Sequence, residues 1–333
     1  MTILATLLYP FETDLLPLPG AGARGIVCNA LPGMRPPAGF GAELQYVQGF
    51  RPEYLALQRE RRSVSAEPTG EQYDLAMVVA GRHRRQNDLW IAEALARTKP
   101  GGTILVAGTK NDGIVSLRKR VAGLIPLDGS ASKHHGIVFW IRKPADANAA
   151  VAALTPAPTQ AQARFYTVPG SFSADDVDRG SKLLADSLPG DLKGRVADFC
   201  AGWGYIAWRL GDHEKIDAVD LYEADYAALE AARRNLDGLP RRLEFYWHDL
   251  VSEPVTTRYD AIVMNPPFHR GRAAEPGIGL AMIRASHAAL KPGGRLFLVA
   301  NSGLPYEAAL ASLFKDGGQI VREAGFKVLW AKR

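Results

Sequence analysis

RVADFCAGWGYIAWRLGDHEKIDAVDL, residues 195–221, reads as a strand, a glycine turn, a helix and a second strand. Arg195–Phe199 and Ile216–Leu221 are apolar runs of strand length, and Tyr205–Leu210 between them carries helical spacing. Two strands joined through a helix run parallel, because the crossover is too long for a hairpin. The alternation continues with strands at Leu243–Trp247, Ala261–Met264 and Arg295–Ala300 and helices at Ala224–Leu236 and Ile278–Leu290. This pattern predicts a doubly wound α/β sheet that places ligands at the carboxyl ends of its strands. At the end of the chain, Gln319–Glu323 and Phe326–Lys332 flank Ala324–Gly325 and predict an antiparallel hairpin at a sheet edge.

The first half repeats part of this plan. YDLAMVVAGRHR, residues 73–84, aligns without gaps to YDAIVMNPPFHR, residues 259–270. In each copy a helical stretch follows, then KPGG at Lys99–Gly102 or Lys291–Gly294, then a strand. Two shared segments in the same order predict a duplicated domain. Between the copies, Pro144–Gln162 is rich in Ala and Pro and reads as a linker or loosely held helix. The expected organisation is a domain over 1–150, a linker over 151–163 and a second domain over 164–333.

Composition narrows the class. Hydrophobic residues make up 47% and charged residues 23% of the 333, which suits a globular chain with real cores. No run approaches a membrane span, and the acidic residues Glu12 and Asp14 do not suit a signal peptide, so a cytoplasmic protein is expected, with no membrane partner. Cys28 and Cys200 are too few for a disulfide framework or a cysteine zinc site, and no metal is expected. Residues 1–150 carry 18 basic against 13 acidic side chains, whereas 151–333 carry 22 of each. The excess is clustered at Arg59, Arg61 and Arg62, at Arg82–Arg85, and at Arg118–Arg120, which favours a polyanionic partner for the first half.

Two motifs carry chemistry. Asp198-Phe-Cys-Ala-Gly-Trp-Gly204 lies between a strand and a helix, where small residues let the backbone approach a nucleotide-like ligand. Asp220 follows 22 residues later, where a carboxylate can accept both hydroxyls of a ribose. No Lys-Ser/Thr follows the glycines, which excludes a phosphate-binding P-loop. The second motif, Asn265-Pro266-Pro267-Phe268, closes the strand Ala261–Met264. Its prolines fix the backbone and remove two donors, leaving carbonyls and the Asn265 oxygen free to accept hydrogen bonds from an amine. Phe268 offers a face on which a flat ring can stack. Lys182, in the Gly180–Leu184 segment, is a candidate partner for a ligand carboxylate.

Taken together, these residues resemble the class I S-adenosylmethionine-dependent methyltransferases whose NPP[FY] motif targets planar exocyclic amines. Residues 160–333 are most similar to the 16S ribosomal RNA guanine-N2 methyltransferase C (RsmC-like) family, on Tyr166–Leu184, Asp198–Gly204 and Asn265–His269. The resemblance implies two tandem Rossmann-like methyltransferase domains, the first degenerate and serving to dock RNA, the second binding S-adenosylmethionine. It implies cofactor contacts from Asp198, Cys200, Gly202, Gly204, Asp220 and Asp249, with Cys200 in place of the usual first glycine. Asn265, Pro266, Pro267 and Phe268 are then the catalytic group. The implied substrate is ribosomal RNA or the small ribosomal subunit, and the enzyme is expected to act as a monomer. Val79-Ala80-Gly81-Arg82 stands where the second copy has NPPF, so no catalysis is expected in the first copy. Adenine N6, a protein glutamine N5, or a non-catalytic RNA-binding assembly role are the alternatives that the motifs leave open.

Overall fold

In the first half of the chain, β1 (Arg24–Cys28), β2 (Glu43–Val47), β3 (Ser63–Ser65), β4 (Tyr73–Val79), β5 (Thr98–Thr109), β6 (Gly129–Lys133) and β7 (Gly136–Arg142) form one sheet of order β3-β2-β1-β4-β5-β7-β6. Its helices are α1 (Ile3–Glu12), α2 (Arg51–Arg59), α3 (Arg84–Arg97), α4 (Ile114–Ala122) and α5 (Asn148–Leu154). The second half opens with a small hairpin, β8 (Thr159–Ala161) and β9 (Phe165–Thr167), and α6 (Arg179–Asp186). There follow β10 (Gly194–Phe199), α7 (Tyr205–Arg209), β11 (Ile216–Glu223), α8 (Tyr226–Asn235), β12 (Arg242–Trp247) and β13 (Tyr259–Met264). A short pair, β14 (His269–Arg270) and β15 (Ala273–Ala274), leads to α9 (Pro276–Ala289). The chain ends with β16 (Leu290–Asn301), α10 (Tyr306–Leu313), β17 (Asp316–Glu323) and β18 (Phe326–Lys332). This computed structural model describes residues 3–157, 159–162, 164–267, 269, 270, 273, 274 and 276–333.

The second sheet has the order β12-β11-β10-β13-β16-β18-β17, strand for strand the order of the first. In each, the first four pairings are parallel and the last two antiparallel, so that only β7 and β18 run against the other strands of their sheets. The expected duplication and terminal hairpin are both present. Both faces of each sheet are covered, which explains the nearly continuous apolar runs. Along β13, Ala261 and Val263 enter one core while Ile262 and Met264 enter the other. Along β4, Ala76 and Val78 face one core while Leu75, Met77 and Val79 face the other.

The repeated YD and KPGG segments turn out to be a brace at the amino ends of the strands. In the second unit the Asp260 carboxylate accepts the Arg195 backbone N–H at 2.9 Å and the Lys291 ammonium at 2.8 Å. In the first, Asp74 accepts the Arg24 N–H at 2.8 Å and pairs with Lys99. The KPGG glycines are needed for shape: Gly101 and Gly293 both have φ of 78°. A side chain on Gly294 would approach the Tyr259 carbonyl to 3.0 Å. The YD pairs and the KPGG turns therefore lie opposite the ligand edge of the sheet.

One expectation changes. The chain divides into Met1–Ala157 and Pro158–Arg333, and residues 151–154 are not linker but the end of α5. Ala150 and Leu154 are buried in the first unit, giving this Ala-rich helix an apolar side to anchor. His134 and His135 form the two-residue turn between β6 and β7, with φ of 51° and 62°.

Candidate active site

The loop after β10 is held from below by Asp198. This residue is fully buried, and one carboxylate oxygen accepts the Ala207 N–H of α7 at 3.0 Å. Its other oxygen has no partner among the described residues. Burial, with some repulsion from Glu223, raises the Asp198 pKa well above the usual carboxylate range. The loop then alternates through left-handed conformations at Cys200, Gly202 and Gly204, with φ of 63°, 55° and 93°.

The two glycines do different work. A side chain on Gly202 would meet nothing within 4 Å, so the space over it is open for a ligand. One on Gly204 would come within 3.1 Å of Leu236 and 3.2 Å of Ala232, so this glycine seats α8. Cys200 accepts a conformation that ordinary residues avoid. Its thiol is turned onto Met282 of α9, sulfur to sulfur 3.5 Å, and packs in the core on that side.

Asp220 does not reach this loop. The sequence suggests a strand ending at Leu221, but β11 continues to Glu223. Asp220 is thereby left three residues short of the edge, about 10 Å back along the strand. It is fully buried, taking hydrogen bonds from Arg195 at 2.7 Å and from the Tyr259 hydroxyl at 2.6 Å. The residue at the strand end is Glu223. Its carboxylate accepts the Gly202 N–H at 2.8 Å and the Asp225 N–H at 2.8 Å, and burial pushes its pKa up to about 7. Asp225 marks the boundary, because its side chain caps α8 through the Ala227 and Ala228 N–H groups. That cap was the available signal that the strand ends at Glu223.

Asp249 lies one strand over, just past the His248 N–H that meets the Glu223 carbonyl at 2.9 Å. It is buried, and its oxygens accept from the Val251 N–H and the Ser252 hydroxyl, which fixes the turn after β12. Lys182 is corrected as well. It sits on the exposed side of α6, paired with Asp186 at 2.6 Å, because an i, i+4 partner on the solvent side captures it.

Asn265 stands at the carboxyl end of β13, beside β10 in the sheet. Its Nδ2 donates to Asp178 Oδ2 at 2.9 Å and to Ser181 Oγ at 2.8 Å. A carboxylate only accepts, so the amide nitrogen faces α6 and Oδ1 points elsewhere. Pro266 is buried and Pro267 exposed, while Phe268 lies outside the described residues. Asp178 and Ser181 went unnoticed in the sequence, although Asp-x-x-Ser before an apolar run is a helix-cap signature. Their link to Asn265 spans more than 80 residues, and only the fold brings them together.

An orphaned buried carboxylate oxygen, a half-buried acid at a strand end and open space over Gly202 suit a ligand with vicinal hydroxyls and positive charge. S-adenosylmethionine has both features. Residues 162–330 match the family described as methyltransferase small domain. A ribosomal RNA small subunit methyltransferase C from Hahella chejuensis is 31% identical over 278 residues, covering 80% of each chain.

The chain belongs to the ribosomal RNA small subunit methyltransferase C family. A methyltransferase C from Klebsiella pneumoniae is 31% identical over 68% of this chain and 66% of its own length. The solved T. thermophilus 16S rRNA N2 G1207 methyltransferase, in complex with AdoMet and guanosine, superposes with a TM-score of 0.79 at 24% identity. That match covers 99% of this chain and 91% of the other, so the fold likeness includes both sheets.

Within this methyltransferase C fold, the first unit has a different loop at the equivalent strand end. Gly81 follows β4, and the Asn87 side chain takes both its backbone groups, N–H at 2.8 Å and carbonyl at 2.7 Å. Asn29, after β1, donates to the Val79 carbonyl at 2.8 Å. The polar groups that would meet a substrate amine are thus spent on the loop itself.

Proposed function

We propose that this chain transfers a methyl group from S-adenosylmethionine to the exocyclic N2 amine of a guanine in 16S ribosomal RNA. The observation that carries this reading is Asn265, fixed at the carboxyl end of β13 with its amide nitrogen already engaged. Names among the relatives support small-subunit ribosomal RNA as the substrate, and the name of the T. thermophilus neighbour supports guanine N2.

Glu223 is the ribose-binding acid in this reading, Gly202 leaves room for the cofactor, and Asp249 stands near the adenine amino group. Asp198, buried beneath the glycine loop, holds that loop in shape through the Ala207 N–H. S-adenosylmethionine, when bound, supplies an electrophilic methyl group on a sulfonium. The lone pair of guanine N2 is delocalised into the ring, so the protein must orient it rather than simply remove a proton. Asn265 Oδ1 and the Pro266 carbonyl accept the two N–H groups and turn the lone pair toward the methyl carbon. No strong base is required, because the nitrogen becomes acidic as it gains positive charge and water takes the proton. Phe268 stacks on the base, which must be unpaired to expose N2.

The first unit docks the RNA, through the basic side chains clustered there. Such a substrate places the enzyme's work in the cytoplasm, and among the described residues no helix is long and apolar enough to cross a membrane. Cofactor-binding and amine-binding residues all belong to the second unit, so one chain suffices.

Asn265→Ala tests the mechanism. It should lower kcat by at least ~100-fold while S-adenosylhomocysteine affinity, measured by calorimetry, stays within about twofold of the parent. Parental turnover in the variant would refute the role of Asn265. Failure of the parent itself to bind S-adenosylhomocysteine would support a non-catalytic RNA-binding protein instead.

A further inference from the structure

The Asn265 amide can turn about its side-chain bond, and only one of its two orientations helps the reaction. With Oδ1 toward the substrate it accepts an N–H; turned over, it would set donor against donor. The structure contains a device that selects between them. Asp178 caps α6, its Oδ2 accepting the Ser181 N–H at 2.7 Å. The same oxygen accepts from Asn265 Nδ2 at 2.9 Å, and Ser181 Oγ accepts from that nitrogen at 2.8 Å. Both acceptors are fixed in place. Ser181 is only 8% exposed, and a side chain added at Gly180 would come within 3.0 Å of Asp178 Oδ2 and 3.1 Å of the Phe326 ring.

We infer that Asp178 and Ser181 are positioning residues that lock the Asn265 amide with its oxygen toward the substrate amine. The inference rests on the role given to Asn265 above. Donating to an anionic acceptor also draws electron density onto Oδ1, since linked hydrogen bonds polarise one another. That strengthens Oδ1 as an acceptor as the N–H groups of guanine become more acidic. The lock costs nothing at the moment of reaction, because the helix cap has already placed the carboxylate.

Three substitutions separate this role from plain helix capping. Asp178→Ser keeps a good cap for α6 but is too short to hold Asn265 in the same way. Asp178→Asn keeps the shape and removes the charge, and Ser181→Ala removes the second acceptor. Single-turnover rate, KM for ribosomal RNA and S-adenosylhomocysteine affinity should be measured for each, in the parent and in the Asn265→Ala background. Each change alone should slow methyl transfer by ~5–50-fold, the range of coupling between residues in one network, with both affinities within about twofold. In the Asn265→Ala background none should slow it further.

The result that overturns the inference is full additivity: Asp178→Ser and Ser181→Ala slowing the Asn265→Ala enzyme as much as the parent. Silent single variants would overturn it too. If instead Asn265→Ala keeps parental turnover, it is the role of Asn265 that fails. A melting curve for each variant separates misfolding from loss of alignment, and Asp178→Ser, which retains the cap, carries the decision.

Discussion

Glu223 is a half-buried acid whose pKa is pushed up to about 7 by desolvation, and its ionised form is the better acceptor for two ribose hydroxyls. Raising pH through that value ionises it, so cofactor affinity should climb with pH and level off above. At about pH 6 roughly one-tenth of the groups are ionised, and S-adenosylhomocysteine should bind ~10-fold more weakly than at about pH 8. Glu223→Gln should abolish that step. A pH-independent affinity in the parent would place the ribose acid elsewhere. Asp220 shows why this residue was hard to read. It has the right charge at a plausible spacing after Asp198, but its carboxylate is committed to Arg195 and Tyr259 inside the sheet. Spacing could be counted along the sequence, whereas the strand end depended on recognising Asp225 as a cap. Asn265 was legible because its position follows directly from the strand before it. Its holders, Asp178 and Ser181, were not, because no local pattern links α6 to β13.

At the scale of elements, the glycine loop between β10 and α7 combines a packing requirement at Gly204 with open space at Gly202, where the proposed function puts the cofactor. Gly204→Ala forces φ of 93° on an ordinary residue and presses on Leu236 and Ala232. It should cost about 2–4 kcal/mol of stability, read by urea unfolding. Gly202→Ala meets no neighbour within 4 Å. It should cost about 1–2 kcal/mol from its positive φ alone, but should weaken S-adenosylhomocysteine more than Gly204→Ala does. The reverse ranking in affinity would show that the open space over Gly202 is not where the cofactor lies. Strands and helices of the second unit were readable from apolar runs and spacing. The copy in the first unit was visible through YD and KPGG, which the structure explains as one brace built twice. Its helix α5 was obscured because Ala and Pro composition looks the same in a linker and in a short packed helix.

For the whole molecule, the duplicated fold has kept its braces and cores while the two sites have diverged. The first unit carries the basic surplus, 18 basic against 13 acidic side chains over 1–150. Its arginines are not equivalent. Arg85 donates to the Ala157 carbonyl at 2.6 Å and contributes to the unit's own structure. Among the described residues, Arg82 and Arg84 keep 46% and 73% of their side chains exposed and make long ion pairs, 3.5 Å to Asp112 and 3.9 Å to Asp88. Exposed pairs of this kind are weak and leave the guanidinium groups able to meet phosphate. Replacing Arg82 and Arg84 together by Ala should weaken RNA binding and flatten the plot of log K against log salt by up to ~1.8 units, with cofactor affinity unchanged. An unaltered slope would move RNA docking to another surface.

The most direct test of methylation at guanine N2 is nucleoside mass spectrometry of 16S ribosomal RNA from cells lacking this gene. One N2-methylguanosine per molecule should disappear, and should return with the parental gene but not with Asn265→Ala. An unchanged N2-methylguanosine content, or a methyl group lost instead from adenine or from a protein glutamine, would contradict the assignment.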